Sequence, residues 1–187
     1  MFHGMMERMF SLRGLLGLLG VFSLLAGAGA QTPVRKGELW QTHFSVENAA
    51  VRKPVPIPDE VFAILKNADA AKRFEDDGKT PAEPQRSWFS AAVVHLQDAT
   101  KNDLVVVAEA PIVGANVSTF WVFLDTPEGM KLALTAPVHD LFIRPPRWKG
   151  VRTIELDSMT CCVISTTLLR YENGQFREYR QLSKEIR

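Results

Sequence analysis

The chain has 187 residues, 46% of them hydrophobic, with 22 basic residues against 21 acidic ones. This even balance leaves no excess of Lys and Arg to neutralise phosphates, which argues against nucleic-acid binding. The length suits one domain with its own hydrophobic core, and two cysteines are too few for a disulfide framework.

The first thirty residues have the pattern of a secretory signal peptide. Arg8 and Arg13 precede an uncharged run, residues 14–30, that is apolar at its centre and ends in small residues. A basic head, an apolar stretch and an Ala-x-Ala site are the parts of such a signal. The run has 17 residues, fewer than the roughly 20 of a membrane-spanning helix. We predict cleavage after Ala28 or Ala30 and a secreted or periplasmic protein without stable membrane insertion, and a retained membrane anchor is the alternative.

Residues 31–58 are predicted to form an N-terminal arm with one candidate strand and a proline-rich connector. Apolar and polar residues alternate over 39–47, the period of a strand with one covered face. The prolines at 54, 56 and 58 exclude a helix interior, because proline lacks an N–H donor and restricts the residue before it.

Residues 59–187 are predicted to form a single α+β domain, in which one N-terminal helix packs on an antiparallel meander of about six to eight strands. The helix is expected over 59–74, where acidic residues open an apolar pattern of helical spacing. Apolar runs at 104–108 and 120–124 are typical of central strands covered on both faces. The Asn-Gly pair at 173–174 is a strong hairpin signal. We expect strands near 88–96, 104–108, 120–124, 130–135, 138–143, 151–156, 160–171 and 176–179.

The two cysteines are neighbours inside the predicted strand 160–171. Adjacent residues of a strand point to opposite faces, so a disulfide between Cys161 and Cys162 would distort the peptide that joins them. We predict two reduced thiols, at least one of them buried, because buried cysteine packs as a small hydrophobe. A vicinal disulfide is the alternative.

Five short motifs follow one another in the second half of the chain: HLQD at 95–98, NDLVV at 102–106, FWVF at 120–123, GVRTI at 150–154 and YENGQF at 171–176. In this order they resemble uncharacterised secreted bacterial proteins with a C-terminal antiparallel meander, over residues 88–179. The Asp-Leu-Val-Val step is also distantly similar to the strand of FG-GAP/VCBS repeats. Of the calcium ligands in those repeats only Asp98, Asn102 and Asp103 remain. The resemblance implies a secreted β-rich protein and brings no activity with it.

No catalytic, metal-binding or cofactor-binding motif is present in the sequence. His-Glu-x-x-His, Cys-x-x-Cys, Gly-x-Ser-x-Gly and phosphate-binding glycine loops are all absent. We therefore predict no catalytic residue, no metal and no cofactor. An unrecognised hydrolase would use His95 or His139, with Asp140 and the cysteine pair, or the carboxylates of Glu109 and Asp125.

The strongest candidate binding residues lie together at 144–150. This polar, proline-bound segment is predicted to be a loop, and it carries Arg144, Arg147, Trp148 and Lys149. An exposed tryptophan among basic residues is common at binding surfaces. We predict a non-enzymatic binding or accessory domain whose partner is an envelope protein or a cell-wall component. A small secreted hydrolase and a structural envelope protein are the alternatives.

Overall fold

Nine strands in two antiparallel sheets make up most of the chain that the computed structural model describes, residues 40–47, 51–72, 74 and 82–185. The predicted signal peptide and its cleavage sites lie outside these residues. No helix within the described ranges has the length and apolar character to cross a membrane. The elements are β1 (His43–Ser45), α1 (Asp59–Leu65), α2 (Asp69–Lys72), a 3₁₀ turn (Arg86–Trp88), β2 (Phe89–Val94), β3 (Asp103–Ala108), β4 (Ser118–Thr126), β5 (Gly129–Val138), β6 (Asp140–Trp148), β7 (Val151–Met159), β8 (Val163–Glu172) and β9 (Gln175–Glu185).

The predicted fold class, a helix on an antiparallel meander, is confirmed. One sheet has the order β2-β3-β4-β5 and the other the order β1-β6-β7-β8-β9. The chain changes sheets at His139, between β5 and β6, so the meander is divided in two. The candidate strand of the arm is β1, which pairs with β6 through Ser45 opposite Asp140 and two further pairs.

The central strands of the four-stranded sheet are covered on both faces, as their continuous apolar runs predict. On β3, Val105 and Val107 belong to the core between the two sheets. Leu104, Val106 and Ala108 point the other way, into the core beneath α1. Each residue of β3 is therefore buried, and the sheet is the middle layer of the fold.

The helix predicted over 59–74 is interrupted after Leu65. The side chain of Asn67 donates a hydrogen bond to the Ala63 carbonyl at 2.9 Å. The backbone N–H of Asn67 bonds instead to the Ile64 carbonyl at 3.0 Å, in the tighter 3₁₀ pattern. In a continuous α-helix the Ala63 carbonyl would accept a hydrogen bond from the backbone N–H of Asn67. Because the Asn67 side chain bonds to this carbonyl instead, α1 ends early.

The two cysteines lie in the turn between β7 and β8. The Thr160 backbone N–H and hydroxyl both bond to the Val163 carbonyl, at 3.0 and 3.3 Å, and close a four-residue turn around them. Both cysteines are exposed, so the prediction that at least one is buried is wrong. The apolar run does not form a strand throughout, because the pairing of Met159 with Ile164 turns the chain between them.

The β4–β5 turn depends on glycine at position 129. Gly129 has φ of +107°, and an added Cβ would lie 2.7 Å from a carboxylate oxygen of Glu60. We expect Gly129→Ala to lower the free energy of unfolding, measured in urea, by about 1 to 2 kcal/mol. Gly150→Ala is the control, because Gly150 has φ of +86° with open space around it. An equal loss in both variants would contradict a contribution from the Glu60 contact.

Candidate functional site

The four predicted binding residues lie on the β6–β7 hairpin. β6 continues to Trp148, and residues 149–150 form the turn, so the segment is a strand and turn instead of the predicted loop. The prolines at 145–146 fall where the register with β7 shifts, between Ile143 and Arg147. Proline has no backbone N–H to donate to the hydrogen bonds between strands. Because both prolines lie at the register shift, they are accommodated without ending β6.

Two of the four residues hold this hairpin in place. Arg144 forms a bidentate pair with Glu155, in which Nε donates to Oε2 at 2.7 Å and Nη2 donates to Oε1. The hydrogen bonds that Arg144 donates to the Glu155 carboxylate raise the pKa of Arg144. Arg147 Nη1 donates to the carbonyls of Leu96, at 3.0 Å, and of Gln97. The Arg144–Glu155 pair joins the two strands of the hairpin, and the Arg147 hydrogen bonds fasten the hairpin to the turn that follows β2.

The other two residues, Trp148 and Lys149, lie at the surface, where the Trp148 ring contacts a residue of β8. The Trp148 side chain is 38% exposed, and the Arg170 guanidinium carbon lies 4.5 Å from its ring centroid. Lys149 Nζ lies 6.0 Å from the same ring. Arg170 also lies 5.5 Å from the ring of Tyr179, which is 45% exposed. We call Trp148, Lys149, Arg170 and Tyr179 the Trp148 surface. Its β8 and β9 members, Arg170 and Tyr179, are not predictable from the sequence, because no local signal links them to the hairpin.

A polar cluster connects β1 to β6. Asp140 is hydrogen-bonded at one carboxylate oxygen to His43 Nε2, at 2.7 Å, and at the other to His139 Nδ1, at 2.6 Å. His139 Nε2 lies 3.9 Å from the Glu47 carboxylate. Burial acts to raise the pKa of Asp140, but hydrogen bonds from His139, His43 and Ser45 outweigh it, and the pKa is lowered. Through these contacts, Asp140 links β1 to β6.

Of the predicted hydrolase residues, His139 and Asp140 come together, whereas the hydrogen bonds described for His95 and for the cysteine pair join neither of them. His95 Nδ1 bonds to the Lys101 carbonyl, and within the described residues the thiols hydrogen-bond only to each other. Glu109 follows the end of β3, whereas Asp125 lies beside the start of that strand, bonded to the Asn102 N–H. The hypothesis that these two carboxylates act as a pair is therefore wrong.

A cavity of about 330 Å³ lies beside the ring of Trp40. Arg52, Lys53 and His95 line it together with apolar residues of β2. The Trp40 ring stands edge-on to His95, with centroids 5.9 Å apart, and the Arg152 guanidinium lies 5.3 Å from it. Burial lowers the pKa of Arg152. The volume is at the low end for small-molecule sites. No local sequence pattern predicts that these residues meet.

The remnant of the calcium motif has a different role. Asp103 is buried, and its carboxylate accepts hydrogen bonds from the N–H groups of Leu96, Gln97 and Asp125 and from the Gln97 amide. Its oxygens therefore hold the β2–β3 turn. Among the residues that the structure describes, no three His, Cys, Asp or Glu side chains are grouped to hold a metal ion.

No family model matches this sequence, and comparisons with curated proteins and with solved structures find no match. The resemblance of residues 88–179 to secreted bacterial proteins stays an expectation.

Proposed function

We propose that the protein is a secreted or periplasmic binding domain that recognises an envelope protein through the Trp148 surface. The observation that carries the proposal is the partly exposed Trp148 ring, oriented by the guanidinium of Arg170. Tryptophan, tyrosine and arginine are the residue types enriched where protein interfaces gain most of their binding energy. Three of the four residues of the surface are of these types.

The contacts that hold this surface in position also support the proposal. Arg144 and Arg147 fix the hairpin that carries Trp148, through Glu155 and through the carbonyls after β2. The side chain of Arg170 lies 2.9 Å from the Glu172 carboxylate, which restricts it further. A surface ordered before binding loses less conformational entropy when the partner arrives.

The charges of the surface indicate the chemistry of the partner. Lys149 makes no ion pair among the described residues, and its ammonium group lies beside the Trp148 ring. A partner would provide an apolar pocket for the indole and a carboxylate at the rim for Lys149. Such rim charges act mainly on association rate, and added salt weakens them. We therefore expect capture to decline as salt increases.

We expect Trp148→Ala to weaken partner binding by about 30-fold, equivalent to roughly 2 kcal/mol. The melting temperature should change by less than about 5 °C, because the side chain is partly exposed and loses mainly a cation–π contact. The test is capture from an envelope extract by the immobilised protein, read by mass spectrometry. The captured partner is then purified, and its Kd is measured for wild type and variant.

Val117→Ala is the matched control, because Val117 is 44% exposed and precedes β4 in the other sheet. It should bind as wild type does. Equal affinity of Trp148→Ala and wild type would contradict the proposal. Binding to isolated cell-wall polymer in place of a protein would also contradict it, and would assign the surface to the other class of partner.

A further inference from the structure

Two neighbouring thiols lie at the tip of the β7–β8 hairpin, away from the residues of the Trp148 surface. The sulfurs of Cys161 and Cys162 lie 2.9 Å apart, and both residues are exposed. Oxidants in solution can therefore reach both thiols. The backbone explains how neighbouring residues bring their sulfurs together: the pair occupies a turn, in which side chains need not alternate between the faces of a sheet.

The surroundings of the pair favour thiol–disulfide exchange over hydrolysis. Within the described residues, neither sulfur contacts a histidine, lysine or arginine that would activate it. The hydrogen bond with Cys161 raises the pKa of Cys162. Exchange needs only a thiolate and an accessible disulfide, with no additional base.

We propose that Cys161 and Cys162 form a reversible vicinal disulfide by exchange with a small-molecule or protein disulfide, R–S–S–R. One of the two cysteines loses its proton and attacks one oxidant sulfur, which forms a mixed disulfide and releases one thiolate. The other cysteine then loses its proton and attacks the sulfur of the first, which closes the ring and releases the second thiolate. The two cysteines are oxidised by two electrons in total, and the oxidant is reduced to two thiols that take up the two protons.

Covalent geometry makes such a bond reducible. Adjacent Cα atoms are about 3.8 Å apart across a trans peptide, whereas ordinary disulfides span about 4.4 to 6.8 Å. A bond at this site is strained and exposed, and disulfides of that kind are labile and respond to redox conditions. The pair is thus a redox-responsive site and not a structural staple. It is independent of the Trp148 surface, so either proposal can fail alone.

The test oxidises the reduced full chain with oxidised glutathione, followed by acid quenching, alkylation with N-ethylmaleimide and intact-mass measurement. We expect both alkylation sites to disappear together, with the mass of two hydrogens lost and no glutathione retained. Dithiothreitol should restore both sites. Cys161→Ser and Cys162→Ser should instead each retain one glutathione, because no second thiol is present to resolve the mixed disulfide.

Unfolding separates the contribution of the turn from that of sequence adjacency. In denaturant we expect less ring closure and more mixed disulfide, because the turn no longer holds the sulfurs together. Accumulation of glutathione adducts or linked dimers by the folded wild-type chain would overturn the proposal. The same yield of the Cys161–Cys162 disulfide in folded and denatured chains would also overturn it, since the fold would then contribute nothing to bringing the two sulfurs together.

Discussion

Replacing Asp103 with alanine is expected to lower the free energy of unfolding by about 4 kcal/mol. The carboxylate is fully buried, and it is the shared acceptor of four hydrogen bonds at the β2–β3 turn. Alanine would leave three backbone N–H groups and one side-chain amide without their acceptor. Each unpaired buried donor costs about 1 to 3 kcal/mol, although water entering the space would offset part of this.

Urea denaturation of the variant measures this loss. Asp98→Ala is the matched control in the same turn, because Asp98 is exposed and its carboxylate bonds to Thr100 within the turn. The control should lose much less stability. Asp103→Asn keeps one acceptor oxygen and should fall between the two. A loss below about 1 kcal/mol in Asp103→Ala, typical of a surface position, would contradict the role assigned to the carboxylate.

The second large effect is a pH-dependent loss of stability at Asp140. Its pKa in the folded protein is lowered, so the ionised form stabilises the fold above the unfolded value of about 4. That stabilisation is lost as the pH falls through the lower folded pKa. We expect Asp140→Asn to cost about 2 kcal/mol near neutral pH, because charged hydrogen bonds to His43 and His139 become neutral ones. The difference from wild type should shrink below about pH 4.

Urea unfolding at several pH values between about 7 and 3 measures this difference. Glu47→Gln is the control, because the Glu47 side chain is 71% exposed and lies 3.9 Å from His139. It should change stability by less than about 0.5 kcal/mol. A stability cost of Asp140→Asn that stays constant with pH would show that the charge of the carboxylate contributes nothing to stability. It would contradict the role of the ionised Asp140 in linking β1 to β6.

The strand pattern could be predicted from the sequence where burial was unambiguous. The continuous apolar runs of β3 and β4 follow from coverage on both faces. The Asn-Gly hairpin is confirmed, since Asn173 and Gly174 have φ of 50° and 89°, the left-handed values that such a turn requires. Where an apolar run contains a turn, as at Cys161 and Cys162, composition alone does not locate it. The turn position depends on which residues of β7 and β8 pair.

The sequence by itself determined the fold class, the order of most strands and the residues that form the core, because local hydrophobic periodicity encodes them. The tertiary structure decided which polar residues meet. Asp140 contacts His43 only because β1 pairs with β6. Trp148 contacts Arg170 only because β8 lies beside the hairpin that carries the ring. Such contacts join residues far apart in the chain, so their formation depends on the register and packing of the sheets, for which no local pattern provides a signal.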